Sequence, residues 1–227
     1  MTDYGLAIIG SGGGASAAAI QATTAGRRVV MTEHGTVGET CVKKGCIPSK
    51  PLLAAAEARQ ATLDSDRFPD IIAQVEPVDM AALVGGKRVL VETMRAEKYV
   101  DLIGEYGWEL RHGTVVFSGR PQEPVLLVTA FDGTTATVSA SRCLIATGST
   151  PSVPPITGLG DVDYLMSTSA MELDQVPESL PVIGGGYVAV EQAQLFARLG
   201  ARDHVGALAA SFLGRAGSIP SLDGCLR

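Results

Sequence analysis

The chain opens on a four-residue apolar run, Leu6 to Ile9, followed by Gly10-Ser11-Gly12-Gly13-Gly14-Ala15 and an alanine-rich segment that closes at Gly26. The apolar run is too short for a helix of its own, and the alanine-rich stretch is long enough for one. This predicts strand, tight turn, helix. A second run, Val29 to Thr32, is β-branched and apolar and ends on Glu33. The opening segment therefore reads as a β-α-β unit with an acidic residue at the tip of its second strand.

From Cys41 through Arg59 the chain is apolar with charges at helical spacing. It reads as a helix with an irregular start, because Pro48 and Pro51 remove backbone donors there. Val78 to Gly104 shows long helical periodicity with Glu and Lys on one side, expected as a second helical layer on the sheet. From Trp108 to Ala140 the pattern turns to short β-rich runs. Among them, VLLVTA and TATVSA flank Asp132-Gly133, a favoured hairpin dipeptide, so a small meander is expected. A strand from Cys143 to Ala146 then runs into Thr147-Gly148-Ser149, and a proline-rich link from Pro151 to Pro155 closes the lobe.

A second apolar strand and glycine turn follow at Val182-Ile183-Gly184-Gly185-Gly186-Tyr187-Val188-Ala189, with a helix from about Val190 to Leu199. Two such turns predict two nucleotide sites. The fold class is α/β: a Rossmann-like domain with a β-meander over residues 1–155, the start of a second Rossmann-like domain over 156–200, and an atypical tail over 201–227.

Composition narrows the function. With 227 residues and 46% hydrophobic content, the chain can bury one large core, or one full domain and part of another. A net charge of -6 without a Lys/Arg run argues against a nucleic-acid surface, so small-molecule partners are expected. No apolar stretch reaches the roughly 20 residues of a membrane span, and the N-terminus lacks a basic leader region. A soluble, cytoplasmic protein is expected. The four cysteines do not form a secreted disulfide framework, and a close pair in a reducing compartment is more often catalytic or metal-binding. Cys143, in the apolar run CLIAT, reads as a small core residue.

The first turn fits G-x-G-x-x-A at Gly10, Gly12 and Ala15. The first glycine permits the tight turn and the second lets backbone approach a pyrophosphate. The small third residue allows close helix-strand packing, and the helix N-terminus attracts the phosphate charge. Glu33 stands at the distance expected for a ribose contact. In Gly38-Glu39-Thr40-Cys41-Val42-Lys43-Lys44-Gly45-Cys46-Ile47-Pro48-Ser49-Lys50, two cysteines five apart at a distorted helix start can approach disulfide distance. A helix N-terminus and three nearby lysines would favour a thiolate. The competing reading, two unrelated buried cysteines, gives Gly45 and the basic cluster no role.

This stretch resembles the redox site of the pyridine nucleotide-disulfide oxidoreductases, a likeness covering residues 1 to about 200. The resemblance implies bound FAD and NADPH, with NADH as the alternative nucleotide. It implies that Cys46 faces the flavin, that Cys41 exchanges with substrate, and that Lys50 lies near the flavin. Gly13, Gly14, Thr40, Thr147, Gly148, Ser149 and a backbone contact at Val115 would complete the flavin site. Gly184, Gly186 and Ala189 would hold the second nucleotide. Tyr187 matches an aromatic residue covering the nicotinamide pocket, and Glu191 an acid paired with Lys50.

Within the family, the wording GTVGETC, LLAAAEAR, MRAEKY, EYGWEL and MELDQVPESL is most similar to the mercuric-ion branch. The resemblance thus implies reduction of Hg(II) to Hg(0) with NADPH, with Cys41 and Cys46 binding Hg(II) transiently. A lipoamide-type disulfide oxidoreductase is the alternative, and a non-catalytic FAD-binding remnant is a third reading. Glu39 replaces a usual glycine, and a carboxylate beside a phosphate-bearing cofactor would repel it unless turned away. Lys43 and Lys44 should raise the positive potential between the cysteines. The family is about twice this length, and the segment after Ala201 reads as foreign to it, so a truncation is expected, with a shifted reading frame as one origin. The homodimer of the full-length family would depend on parts beyond this length.

Overall fold

The computed structural model describes residues 3–120 and 122–206, with the side chains of residues 39 and 203–206 left outside the description. In chain order the regular elements begin with strand β1 (Leu6–Ile9), helix α1 (Gly13–Thr24) and strand β2 (Val29–Glu33). A π-helical turn (Glu39–Lys43) precedes helix α2 (Cys46–Leu63), helix α3 (Met80–Arg95) and helix α4 (Asp101–Tyr106). Strands β3 (Glu109–His112), β4 (Thr114–Phe117), β5 (Val125–Thr129), β6 (Thr135–Ser139) and β7 (Cys143–Ile145) follow. The last elements are the short helix α5 (Ser167–Ala170), strand β8 (Ser179–Ile183), helix α6 (Tyr187–Leu199) and strand β9 (Arg202–Gly206). Among the described residues no helix is long and apolar enough to cross a membrane.

The chain divides into two compact units. The first comprises residues 1–47 and 89–154, the second 48–88 and 155–227.

In the first unit a parallel sheet runs in the order β3-β2-β1-β7, with Leu6 opposite Val29 and Ala7 opposite Cys143. Every residue of β2 is buried, as expected of a parallel strand covered on both faces. The alternation of side chains assigns those faces. Ile8 and Met31 join Ala15, Ala19 and Trp108 beneath α1, with Leu102, Ile103 and Tyr106 of α4 against them. Ala7 and Val30 turn the other way, onto Leu126, Val128 and Val138 of the antiparallel meander β4-β5-β6. Asp132 closes the β5–β6 hairpin by accepting the Thr134 N–H at 2.9 Å, with Gly133 at a φ of +84°.

Three expectations are corrected. Residues 109–112 belong to the parallel sheet, pairing Val30 with Glu109, and the meander begins only after Gly113, whose φ of +151° turns the chain. The segment from Cys41 does start irregularly, with a π-helical turn (Glu39–Lys43) before the α-helix proper runs from Cys46 through Pro51. Pro48 falls in the first turn, where an N–H has no intrahelical partner anyway, whereas Pro51 lies inside the helix and removes one donor from it. The N-terminal half of α3 does not layer onto the parallel sheet. Met80 and Val84 pack in the second unit with Leu52 and Ala56 of α2 and with Leu195, Phe196 and Leu199 of α6. For that reason residues 48–88 group with the C-terminal part, and a single cut at 155 does not describe the division.

The second unit also continues past its glycine turn and helix. Strand β9 lies parallel to β8, with Leu180 opposite Asp203 and Ile183 opposite Gly206, so a β-α-β unit is present where the fold was expected to stop. Residues 207–227, including Cys225, lie outside the described residues, as does the Glu39 side chain on which the phosphate repulsion was expected to turn.

Candidate functional site

The carboxyl ends of β1, β2 and β7 and the start of α1 bound a cleft of about 670 Å³ within the first unit. Parallel α/β sheets place ligands in this position, outside the strands' carboxyl ends. Gly10 carries the turn from β1, with a φ of +101° and a hypothetical Cβ only 2.2 Å from the Ala146 carbonyl oxygen. No other residue fits there, because the backbone of the strand after the meander passes directly against it. A Cβ on Gly12 or Gly14 would meet nothing within 4 Å, so these backbones stand open to a ligand. Gly12 caps α1 without a side-chain hydrogen bond, and the first amides of that helix have no intrahelical partners. Ala15 is fully buried behind the turn, where only a small residue allows the helix to lie on the sheet.

The floor of the cleft carries a buried carboxylate. Glu33 is 7% exposed. It accepts the Ser11 hydroxyl at 2.5 Å on one oxygen and the Gly35 N–H at 2.7 Å on the other. An ionised carboxylate offers about four acceptor positions, so roughly two stay available for a diol. Gly10, Gly12, Gly13, Gly14, Glu33, Thr40, Cys41, Val115, Thr147 and Gly148 all line this cleft. Ser149 is exposed outside it, and Lys50 lies in the second unit. Sequence reasoning passed over Ser11, His34 and Gly113, which also line it. Ser11 carried a signal, since a hydroxyl inside a glycine turn is a donor placed beside the expected ribose contact.

Cys41 sits in the π-helical turn Glu39–Lys43, and Cys46 begins α2. Single π turns occur often at functional sites. No disulfide joins Cys41 and Cys46, and both residues are exposed. The Cys46 backbone N–H donates to the Cys41 sulfur, and the two thiols hydrogen-bond to each other. Gly45 makes the approach possible, since a Cβ there would stand 2.8 Å from the Thr40 carbonyl oxygen and 3.3 Å from the Cys41 Cα.

At Cys41 the electrostatics run against a thiolate. Partial burial first, and then the neighbouring Cys46 thiol, push the Cys41 thiol above its ordinary range. The Lys43 ammonium donates to the Thr36 hydroxyl at 3.0 Å, and no lysine is among the groups that shift Cys41. Tyr99 is pushed up as well, by partial burial and then by Cys41. Its ring lies against Gly38, where a Cβ would come within 2.7 Å of it.

In the second unit Gly184 has a φ of +132°, and Gly186 caps α6 without a side-chain bond. Tyr187 is 84% exposed and Ala189 half-buried. Lys50 of α2 and Glu191 of α6 form an ion pair at 2.8 Å. The Lys50 hydrogen bond holds the Glu191 carboxyl below its usual range against the opposing effect of partial burial. Among the described residues no three His, Cys, Asp or Glu side chains converge on a metal position.

A glycine turn, a buried carboxylate at the adjacent strand tip and the Cys41 thiol thus line one cleft at the carboxyl end of a parallel α/β sheet. The family model for pyridine nucleotide-disulphide oxidoreductases matches residues 4–217, and the chain belongs to that family. It is 59% identical over 201 residues to the mercuric reductase of Streptomyces lividans, covering 88% of this chain and 42% of that protein. Against the mercuric reductase of Staphylococcus aureus it is 45% identical over 198 residues, covering 87% of this chain and 35% of that one. The solved Cu(II) complex of the HOCl-induced flavoprotein disulfide reductase RclA from Escherichia coli matches with a TM-score of 0.76 at 26% identity, over 96% of this chain and 45% of that one. The chain thus spans less than half the length of these relatives.

Proposed function

We propose that this chain is the nucleotide-binding, dithiol-bearing part of a cytoplasmic flavin enzyme that reduces Hg(II) to Hg(0) with NADPH. The observation that carries the reading is that Gly10, Glu33 and Cys41 share one cleft. The likeness to mercuric reductases supports the choice of substrate.

The residues present fit FAD. The open backbone at Gly12 and Gly14 and the α1 N-terminus suit a pyrophosphate, and the remaining acceptor positions of Glu33 suit a ribose diol. Thr147, Gly148 and Val115 line the rest of the cleft. When bound, FAD supplies the two-electron link between nicotinamide and thiols.

The chain's own residues supply geometry and ligands. Cys41 and Cys46 each release a proton to become thiolates, soft donors suited to Hg(II). The Cys46 N–H stabilises negative charge on the Cys41 sulfur. In the net reaction NADPH gives a hydride's two electrons to Hg(II), leaving NADP+, a proton and Hg(0). Lys50, tied to Glu191, and the glycine turn at Gly184 and Gly186 are proposed for the flavin and NADPH sides of the second unit.

Purified chain incubated with FAD should turn yellow. Dithionite titration should then give a long-wavelength absorption band that Cys46→Ser abolishes. NADPH oxidation is followed with a Hg(II)-thiol complex and, in parallel, with lipoamide. Turnover with Hg(II) supports the reading, and turnover with lipoamide alone replaces it by direct attack of Cys41 on a substrate disulfide. Bound FAD without turnover leaves a flavin-binding segment, in keeping with the chain's share of its relatives' length. A colourless chain that takes up no FAD overturns the site.

A further inference from the structure

Ser11 is 1% exposed and joins the two halves of the site. Its hydroxyl donates to Glu33 at 2.5 Å and accepts the Gly38 N–H at 3.2 Å. Gly38 leads directly into the π-helical turn that carries Cys41. The Tyr99 ring also lies against Gly38, so close that a Cβ would come within 2.7 Å of it. Gly38 is therefore held by a hydroxyl and packed on an aromatic ring, and the hydroxyl is oriented by a carboxylate that lines the cleft.

We propose that Ser11 is a positioning residue that couples nucleotide binding at Glu33 to the conformation of the loop bearing Cys41. A hydroxyl donates one hydrogen and accepts at its lone pairs. While Glu33 holds the Ser11 hydrogen, the lone pairs are turned to Gly38, and the loop entrance is fixed. A ligand diol on the remaining acceptor positions of Glu33 fixes the carboxylate and, through it, the Ser11 rotor. Hydrogen bonds in series polarise and order one another. The reverse follows by linkage: a change in the Cys41 loop must alter nucleotide affinity by the same factor.

The inference rests on the nucleotide reading of the cleft, and the test separates the two. The probe is ADP, which carries the ribose and pyrophosphate but no flavin ring to cover Cys41. Alkylation of Cys41 by iodoacetamide is followed by peptide mass mapping, and ADP binding by equilibrium dialysis. In the wild-type chain, saturating ADP should slow Cys41 alkylation about fivefold, the factor one net hydrogen bond carries. In Ser11→Ala, ADP at its own saturating concentration should change the rate less than about twofold. Equal slowing in both proteins overturns the coupling and leaves the nucleotide site standing. So does ADP binding with no change in the wild-type rate.

Failure of ADP to bind the wild-type chain overturns both. Should Ser11→Ala not fold, hydrogen exchange of the Gly38 amide in the wild-type chain decides the matter. Exchange should slow about fivefold with ADP, and an unchanged rate overturns the proposal.

Discussion

Lys50 and Glu191 stand 141 positions apart in sequence and meet at 2.8 Å, joining α2 to α6 inside the second unit. The pair joins the same two helices that meet in the apolar contact of Leu52 and Ala56 with Leu195 and Phe196. An ion pair on top of an apolar seam fixes register more than it adds stability, because its Lys50 end is 62% exposed and solvent screens it.

Glu191→Gln should therefore lower stability by no more than about 1 kcal/mol at neutral pH. The Lys50 hydrogen bond depresses the Glu191 carboxyl, with partial burial opposing it. The stabilisation of such a group is present above the unfolded carboxylate range and lost as pH falls through the lower folded value. Urea unfolding of wild type and variant across acid pH should show the difference closing as pH drops below the usual carboxylate range. A difference that grows toward acid would refute the assignment.

A second ion pair is more deeply placed. The Lys87 side chain is 1% exposed and donates to the Met171 carbonyl at 2.7 Å and to the Glu172 carboxylate, which Arg88 also holds at 2.8 Å. Lys87→Met keeps the stem's packing but leaves the Met171 carbonyl without this donor. The expected loss is about 1–3 kcal/mol, the range for a buried acceptor deprived of its partner, read as a lower urea midpoint. An unchanged midpoint would mean that water replaces the ammonium.

How much of this was legible in the sequence depends on the kind of signal. The turn at Gly10, the buried Ala15 and the acid at Glu33 follow a spacing that backbone sterics impose: Gly10 and Glu33 line one cleft, and Ala15 is buried behind the turn. β3 was misjudged because only Gly113 separates it from β4, so β-propensity runs on unbroken while the chain changes sheet. The helical periodicity over Val78–Gly104 is realised as α3, a π turn (Ala96–Val100) and α4, but which core each end enters depends on partners far along the chain, such as Phe196 for Met80 and Val84. The lysines near Cys41 were counted as charges, whereas their effect depends on where flexible side chains end, and Lys43 ends on Thr36. Ser11 was passed over because its contact with Gly38 appears only once the chain is folded.

Gly45→Ala should separate the two thiols. The added methyl would stand 2.8 Å from the Thr40 carbonyl oxygen and 3.3 Å from the Cys41 Cα, both backbone atoms that no side-chain rotation can relieve. Overpacking of this kind costs about 1–3 kcal/mol. Relief by moving the turn also carries Cys41 away from the α2 N-terminus. Mild oxidation with diamide should convert wild type to the Cys41–Cys46 disulfide in non-reducing peptide maps, and the variant much more slowly. Equal rates would show that the turn adapts and that Gly45 is not what brings the thiols together.

The pH profile of Cys41 tests the electrostatic account. Burial, then the hydrogen bond and charge of Cys46, raise the Cys41 thiol above its ordinary value, while the Cys46 backbone N–H works in the opposite sense. Only the thiolate is alkylated at an appreciable rate, so the midpoint of the iodoacetamide rate against pH, followed on the Cys41 peptide, should lie above that of an unstructured cysteine peptide. Cys46→Ala removes the neighbouring thiol and keeps both the burial and the backbone donor. The midpoint should move down, because the two contributions lost both raise it and the one that lowers it is retained. It should still not fall below that of the unstructured peptide, since burial was the larger cause. A midpoint below the peptide's in the wild-type chain would mean that the lysines act on Cys41 after all, and that Lys43 leaves Thr36 in solution.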